Sequence, residues 1–109
     1  TAEQIKAELE QWKNEVTPLL GDVSLFVMCR NSDIAANGTA YTGDKFEVLK
    51  SYGFTDFIGF NNDGKAWFGA YAGHNRMGRT LVTGANLVSH PDWFEGIFDA
   101  YSIKDAARK

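Results

Sequence analysis

Between Thr55 and Phe94 the chain repeats one pattern: short runs of aromatic, aliphatic and small residues, each bounded by Gly, Asn or Asp. Read with Asp63-Gly64 as a two-residue turn, this stretch predicts an antiparallel hairpin of strands at about 57–61 and 65–71. Phe60 then faces Trp67, and Ile58 faces Gly69. Alternation puts Ile58, Phe60, Trp67 and Tyr71 on one face and Phe57, Gly59, Ala66, Phe68 and Ala70 on the other. Both faces are apolar, so both are expected to be covered. A four-residue turn over 61–64 would shift this register.

The segment AGHNRMG, 72–78, reads as a loop on its two glycines and Asn75, with His74, Arg76 and Arg79 as its chemical handles. RTLVTG, 79–84, predicts a third strand, which would be an exposed edge. Ser89 then caps a helix over about 90–101. Pro91 is tolerated in its first turn, and Trp93, Ile97, Phe98 and Tyr101 form its apolar stripe.

Ahead of the sheet, residues 2–36 predict a long helix. Thr1 with Gln4 fits a capping box, and Ile5, Leu9, Trp12, Val16, Leu19, Val23 and Phe26 step by four and three. Pro18 predicts a kink, and Asn37-Gly38 a stop. The seam either covers the core or pairs with a second chain along Ile5, Leu9, Trp12 and Val16. Residues 37–43 read as loop. Asp44 and Glu47 open a short helix over about 44–52, with Phe46 and Leu49 inward.

A chain of 109 residues holds one domain and one core. The expected fold class is α+β, a long N-terminal helix packed on a small antiparallel sheet. A net charge of -3, with no basic stripe beside the aromatics, argues against nucleic acid as a partner. Cys29 is the one cysteine; its apolar setting predicts a buried inert thiol, and no spacing offers a metal site or calls for a cofactor. No apolar run is long enough to span a bilayer. Thr1 reads as the start of a piece cut from a longer protein.

Enzymatic chemistry has little to stand on. Asp63 belongs to a turn, Asp92 to a helix start, and Ser89-His90 are sequence neighbours that do not face one another. The expectation is a non-enzymatic binding module. Trp67 and Tyr71 on one face, joined by Trp93, Phe94 and Tyr101 from the following helix, would enclose a small ligand. Arg79, His74 and Asn75 would fix its polar end.

The order of these parts resembles the Cache family, the PAS-like extracytoplasmic sensor domains of bacterial chemoreceptors and sensor kinases. The resemblance rests on DIAANG at the end of the first helix, on FTDFIGFNNDG as the first strand and turn, and on GANLVSHPDWF as the later turn. It implies a PAS-like sheet that binds an organic acid, amino acid or amine. It also implies a periplasmic or extracellular location in a membrane-anchored parent protein, and a role in signal transduction or chemotaxis. Two departures have consequences. Pro91 stands where the family usually carries a carboxylate-binding Arg, so Arg79 or Arg76 would have to take that part. Only three of the five strands of a PAS-like sheet are found. The alternative is a structural domain that dimerises through its first helix and open sheet edge without a ligand.

Overall fold

A computed structural model describes residues 1–29, 32–61, 64–97 and 99–107. Helix α1, Ala2–Glu15, begins with the capping box expected of Thr1 and Gln4. It ends one turn before Pro18, and Thr17–Leu20 forms a separate short helix, α2. Gly21, at φ 77°, closes α2 in the left-handed region that favours glycine.

The expected helix to residue 36 is not formed beyond that point. Leu25–Val27 is instead a strand, β1. VSLFVMC fits a period of two as well as it fits the helical step, and the glycine break lets the strand period win. Phe26 and Met28 turn to the core while Leu25 and Val27 stay exposed. The same alternation puts Cys29 on the surface, correcting the expectation of a buried thiol. The next helix after β1 is α3, Asp44–Ser51, close to where the sequence placed it.

Three more strands follow: β2, Asp56–Asn61; β3, Trp67–Tyr71; and β4, His74–Thr80. The sheet order is β1-β2-β4-β3, and it is mixed rather than antiparallel. β2 lies parallel to both β1 and β4, and only β3–β4 is an antiparallel pair. The expected hairpin between β2 and β3 is therefore not a pair. Asp63 lies outside the described residues, but the two strands flanking it are separated by β4, which occupies the slot between them. The true hairpin is β3–β4, closed at Ala72-Gly73 between Tyr71 and His74, with Gly73 at φ 80°. The segment expected to be a loop, 72–78, is thus mostly strand. The third strand lies at 74–80 rather than 79–84, in the interior of the sheet rather than at its edge.

This pairing redistributes the faces. Phe57, Gly59, Trp67, Tyr71, His74, Arg76 and Gly78 share the inner face. Ile58, Phe60, Phe68, Met77 and Arg79 share the outer one. The register expected from a β2–β3 hairpin had joined Ile58 and Phe60 to Trp67 and Tyr71; the interposed strand separates them.

The core lies on the inner side, where Leu9 of α1, Phe46 and Leu49 of α3, Phe54, Phe57, Tyr41 and Met28 meet. Ile5 and Trp12 pack against it, so the N-terminal seam faces its own chain. Phe57 is completely buried, with Phe26, Tyr41 and Phe46 as ring neighbours.

Past the sheet, the expected continuous helix over 90–101 is not formed, and the C-terminal part consists of three short pieces. They are α4 at Gly84–Ser89, a 3-10 turn at Pro91–Phe94, and α5 at Ala100–Ala107. Thr83 caps α4, accepting from the Asn86 amide, while Ser89, expected as a cap, is the last residue of α4, and the turn that follows starts at His90 without a side-chain cap. These pieces pack on one another and draw the molecule out to 54 × 29 × 23 Å. The radius of gyration is 17.3 Å, against roughly 13 Å for a compact chain of this length.

Candidate functional site

The inner face carries charge at a place where burial makes charge expensive. Arg76, in the middle of β4, is 1% exposed. Its guanidinium donates to Asp33 Oδ2 at 3.0 Å and to the carbonyl of Ala36 at 2.8 Å. It also donates to the carbonyl of Thr39, and at 3.5 Å to that of Ala35. Its central carbon lies over two rings, 4.1 Å from the centroid of Tyr41 and 5.1 Å from that of Trp67. One side chain thus pins the loop 33–41 across the sheet, using the planar fork that lysine lacks.

Asp33 is the second hub. Its Oδ1 accepts from the Tyr41 hydroxyl and from the Ile34 amide at 2.8 Å. The Tyr41 amide in turn donates at 3.0 Å to Nε2 of His74, which is stacked beside the Tyr41 ring. With Nε2 accepting, neutral His74 carries its proton on Nδ1. That atom and Nε1 of Trp67 are buried without a hydrogen-bond partner among the described residues.

Glycine makes the close approaches possible. A side chain at Gly59 would run into the Asp33 carboxylate, and one at Gly78 into the Trp67 indole. Both glycines are therefore part of the site.

Burial, reinforced by the hydrogen bond to Asp33, pushes the Tyr41 hydroxyl well above the ordinary tyrosine range. The bond from Tyr52 to Glu10, which ties α3 to α1, pushes Tyr52 up to about 12. Both shifts favour the neutral phenol in the fold. Their stabilisation is complete below about pH 10, the ordinary tyrosine value, and is lost as pH rises through the folded values. Alkaline melts are expected to show stability falling from about pH 10 upward, and Tyr52→Phe with Tyr41→Phe should flatten that slope. An equally steep fall in the double variant would contradict it.

Two clefts open beside these elements. The larger, about 650 Å³, lies at the amino ends of β1 and β2 among largely polar side chains that include Lys6, Glu10, Lys13 and Asp22. The smaller, about 290 Å³, lies at the carboxyl end of β1. Ile5, Phe26, Met28, Ile34 and Leu49 line it, with Cys29, Ser32, Asp33 and Lys45 as polar groups. The smaller one is the better candidate. It sits at the strand end where parallel α/β units hold ligands, and its wall includes one half of the buried ion pair.

No family model matches the chain, and no curated protein or solved structure matches it.

The residues singled out in the sequence are dispersed by this fold. Trp67 and Tyr71 do share the inner face with His74 and Arg76, and Tyr71 stacks on His74. Arg79 lies on the outer face and donates to the Met28 carbonyl at 3.1 Å. Trp93 stacks on its neighbour His90 with centroids 4.0 Å apart. Phe94 is buried among the C-terminal pieces, and Tyr101 is 49% exposed. Neither cleft is lined by any of the six. Asp33 and Tyr41, which hold the centre together, were not singled out. The available signal was the period-two run His74, Arg76, Gly78, an inward row whose charge requires a buried carboxylate elsewhere in the chain.

Among the described residues no group of His, Cys, Asp and Glu is arranged to hold a metal ion, and no helix is long and apolar enough to cross a membrane.

Proposed function

We propose that this chain is a small-solute-binding module of the Cache, PAS-like kind, acting in extracytoplasmic sensing for signal transduction or chemotaxis. Its parent protein would be a bacterial membrane protein with this domain in the periplasm or outside the cell. The support for the family is the order of its motifs; the support for binding is physical. The observation that carries the reading is the position of Asp33. It lines the cleft at the end of β1 and, from the same carboxylate, holds both Tyr41 and Arg76.

A solute entering that cleft would meet apolar walls from α1, α3 and β1, with Lys45 and Ser32 as polar contacts. Displacing Asp33 by a fraction of an ångström changes its bonds to Arg76 and Tyr41, and hence the hold on loop 33–41. Occupancy is converted into a change of loop and helix position in this way, which is what a sensor requires. The cleft's volume suits a solute of a few heavy atoms, in the class of organic acids, amino acids and amines.

The test is a thermal-shift screen of those three classes on the wild-type chain and on Ile34→Trp, which fills the cleft from its wall. A ligand at 100 times its Kd should stabilise the wild type by about 2.7 kcal/mol, and the filled variant should not respond. The proposal fails if no solute raises the melting temperature, or if the response survives Ile34→Trp.

A further inference from the structure

The outer sheet face is apolar and open. Val27, Ile58, Met77 and Phe68 align in register across all four strands, an unbroken apolar row. Phe68 is 65% exposed, Val27 45% and Leu25 43%, so nothing among the described residues covers them. The helices α1 and α3 serve the other face. A contiguous apolar row of this kind marks a contact surface.

The ends of the row specify the partner. At the amino end of the parallel strands stands Asp56, held by Asn75 at 2.9 Å. At the carboxyl end stands Arg79, whose guanidinium spends one donor on the Met28 carbonyl and has further donors to offer. The face is thus negative at one end, apolar in the middle and positive at the other. Such a surface is complementary to itself when turned end for end.

We propose that this face docks a second copy of the chain, about a two-fold axis running across the strands between the two sheets. Each Asp56 then meets the Arg79 of the other copy, and the two apolar rows pack on each other as in an aligned β-sandwich. Four strands about 4.8 Å apart and averaging about five residues give roughly 300 Å² of sheet per copy. Against about 800 Å² per partner in a standard interface, the dimer belongs to the weak class, with Kd on the order of tens of micromolar or above.

Sedimentation equilibrium of the whole chain from about 5 µM to 1 mM tests this. The expected result is a monomer–dimer equilibrium that Phe68→Glu weakens at least tenfold. Asp56→Arg alone and Arg79→Glu alone should each weaken it at least tenfold, since each sets like charges together twice. Mixing the two variant proteins should restore association, because opposite charges then meet at both contacts. Circular dichroism melts of each variant confirm that these exposed or half-exposed positions leave the fold intact. A chain that stays monomeric to 1 mM overturns the proposal, as does a dimer unmoved by Phe68→Glu or a mixture that associates no better than its components.

Discussion

Replacing Arg76 with Met is expected to destabilise the fold by about 3–5 kcal/mol, the range for removing one partner of a buried ion pair. Three consequences add up in that figure. Asp33, whose side chain is 14% exposed, is left in a poorly solvated place without its counter-ion. The carbonyls of Ala36 and Thr39 lose a charged donor. The Tyr41 and Trp67 rings lose the cation that lies against each of them. Since a domain of this size holds only about 5–15 kcal/mol in all, the variant should unfold at much lower denaturant or not fold stably at 37 °C.

Arg76→Lys should recover only part of the loss. An ammonium restores the charge but cannot reach Asp33 and the loop carbonyls in one plane. Adding Asp33→Asn to Arg76→Met should cost less than the sum of the two single changes, because the unpaired charge disappears with its partner. Urea melts of the four proteins give the coupling directly. Additive effects would mean that the pair is not energetically a pair.

This residue also marks the limit of what could be read from the sequence. Helix α1 was legible because its signals are local: a cap at Thr1 and Gln4, apolar steps along Ile5, Leu9 and Trp12, and a proline three residues after its last turn. Helix α3 was legible for the same reason. The positions of β2 and β3 were legible from their aromatics. Their pairing was not, because whether Trp67 faces Phe60 or Gly78 depends on a strand that arrives later in the chain. β4 itself was hidden because its inward residues are His74, Arg76 and Gly78, which carry none of the apolar alternation that announces a strand. They are tolerated inside only because Asp33, Tyr41 and a run of loop carbonyls meet them. That provision is more than thirty residues away in sequence and has no local signature.

The glycines of the inner face, Gly59 and Gly78 among them, were equally silent, and Gly78 gives the second prediction. Its neighbour across the ladder is Trp67, and the indole lies directly over the glycine: a β-carbon built there would stand 2.7 Å from Cε2 and nearer still to Nε1 and Cδ1. A ring fixed between strands cannot give way by rotating a terminal atom, as a long flexible side chain would. Gly78→Ala should therefore push the indole off the sheet and cost about 1–3 kcal/mol, the range for overpacking a filled site. Removing Trp67 from above Arg76 also lets water reach the guanidinium, so Trp67 emission should shift to the red as stability falls. Pairing Gly78→Ala with Trp67→Leu should cost less than the two changes summed, since the clash disappears with the ring. The control is Gly84→Ala. Gly84 opens α4 with open space around its α-carbon, and there the same added methyl should stabilise by about 0.4–1 kcal/mol by restricting the unfolded chain. Opposite signs at the two positions would show that Gly78 is held by Trp67 and not by the backbone. Equal and small effects would mean that the indole does not rest where Gly78 leaves room for it.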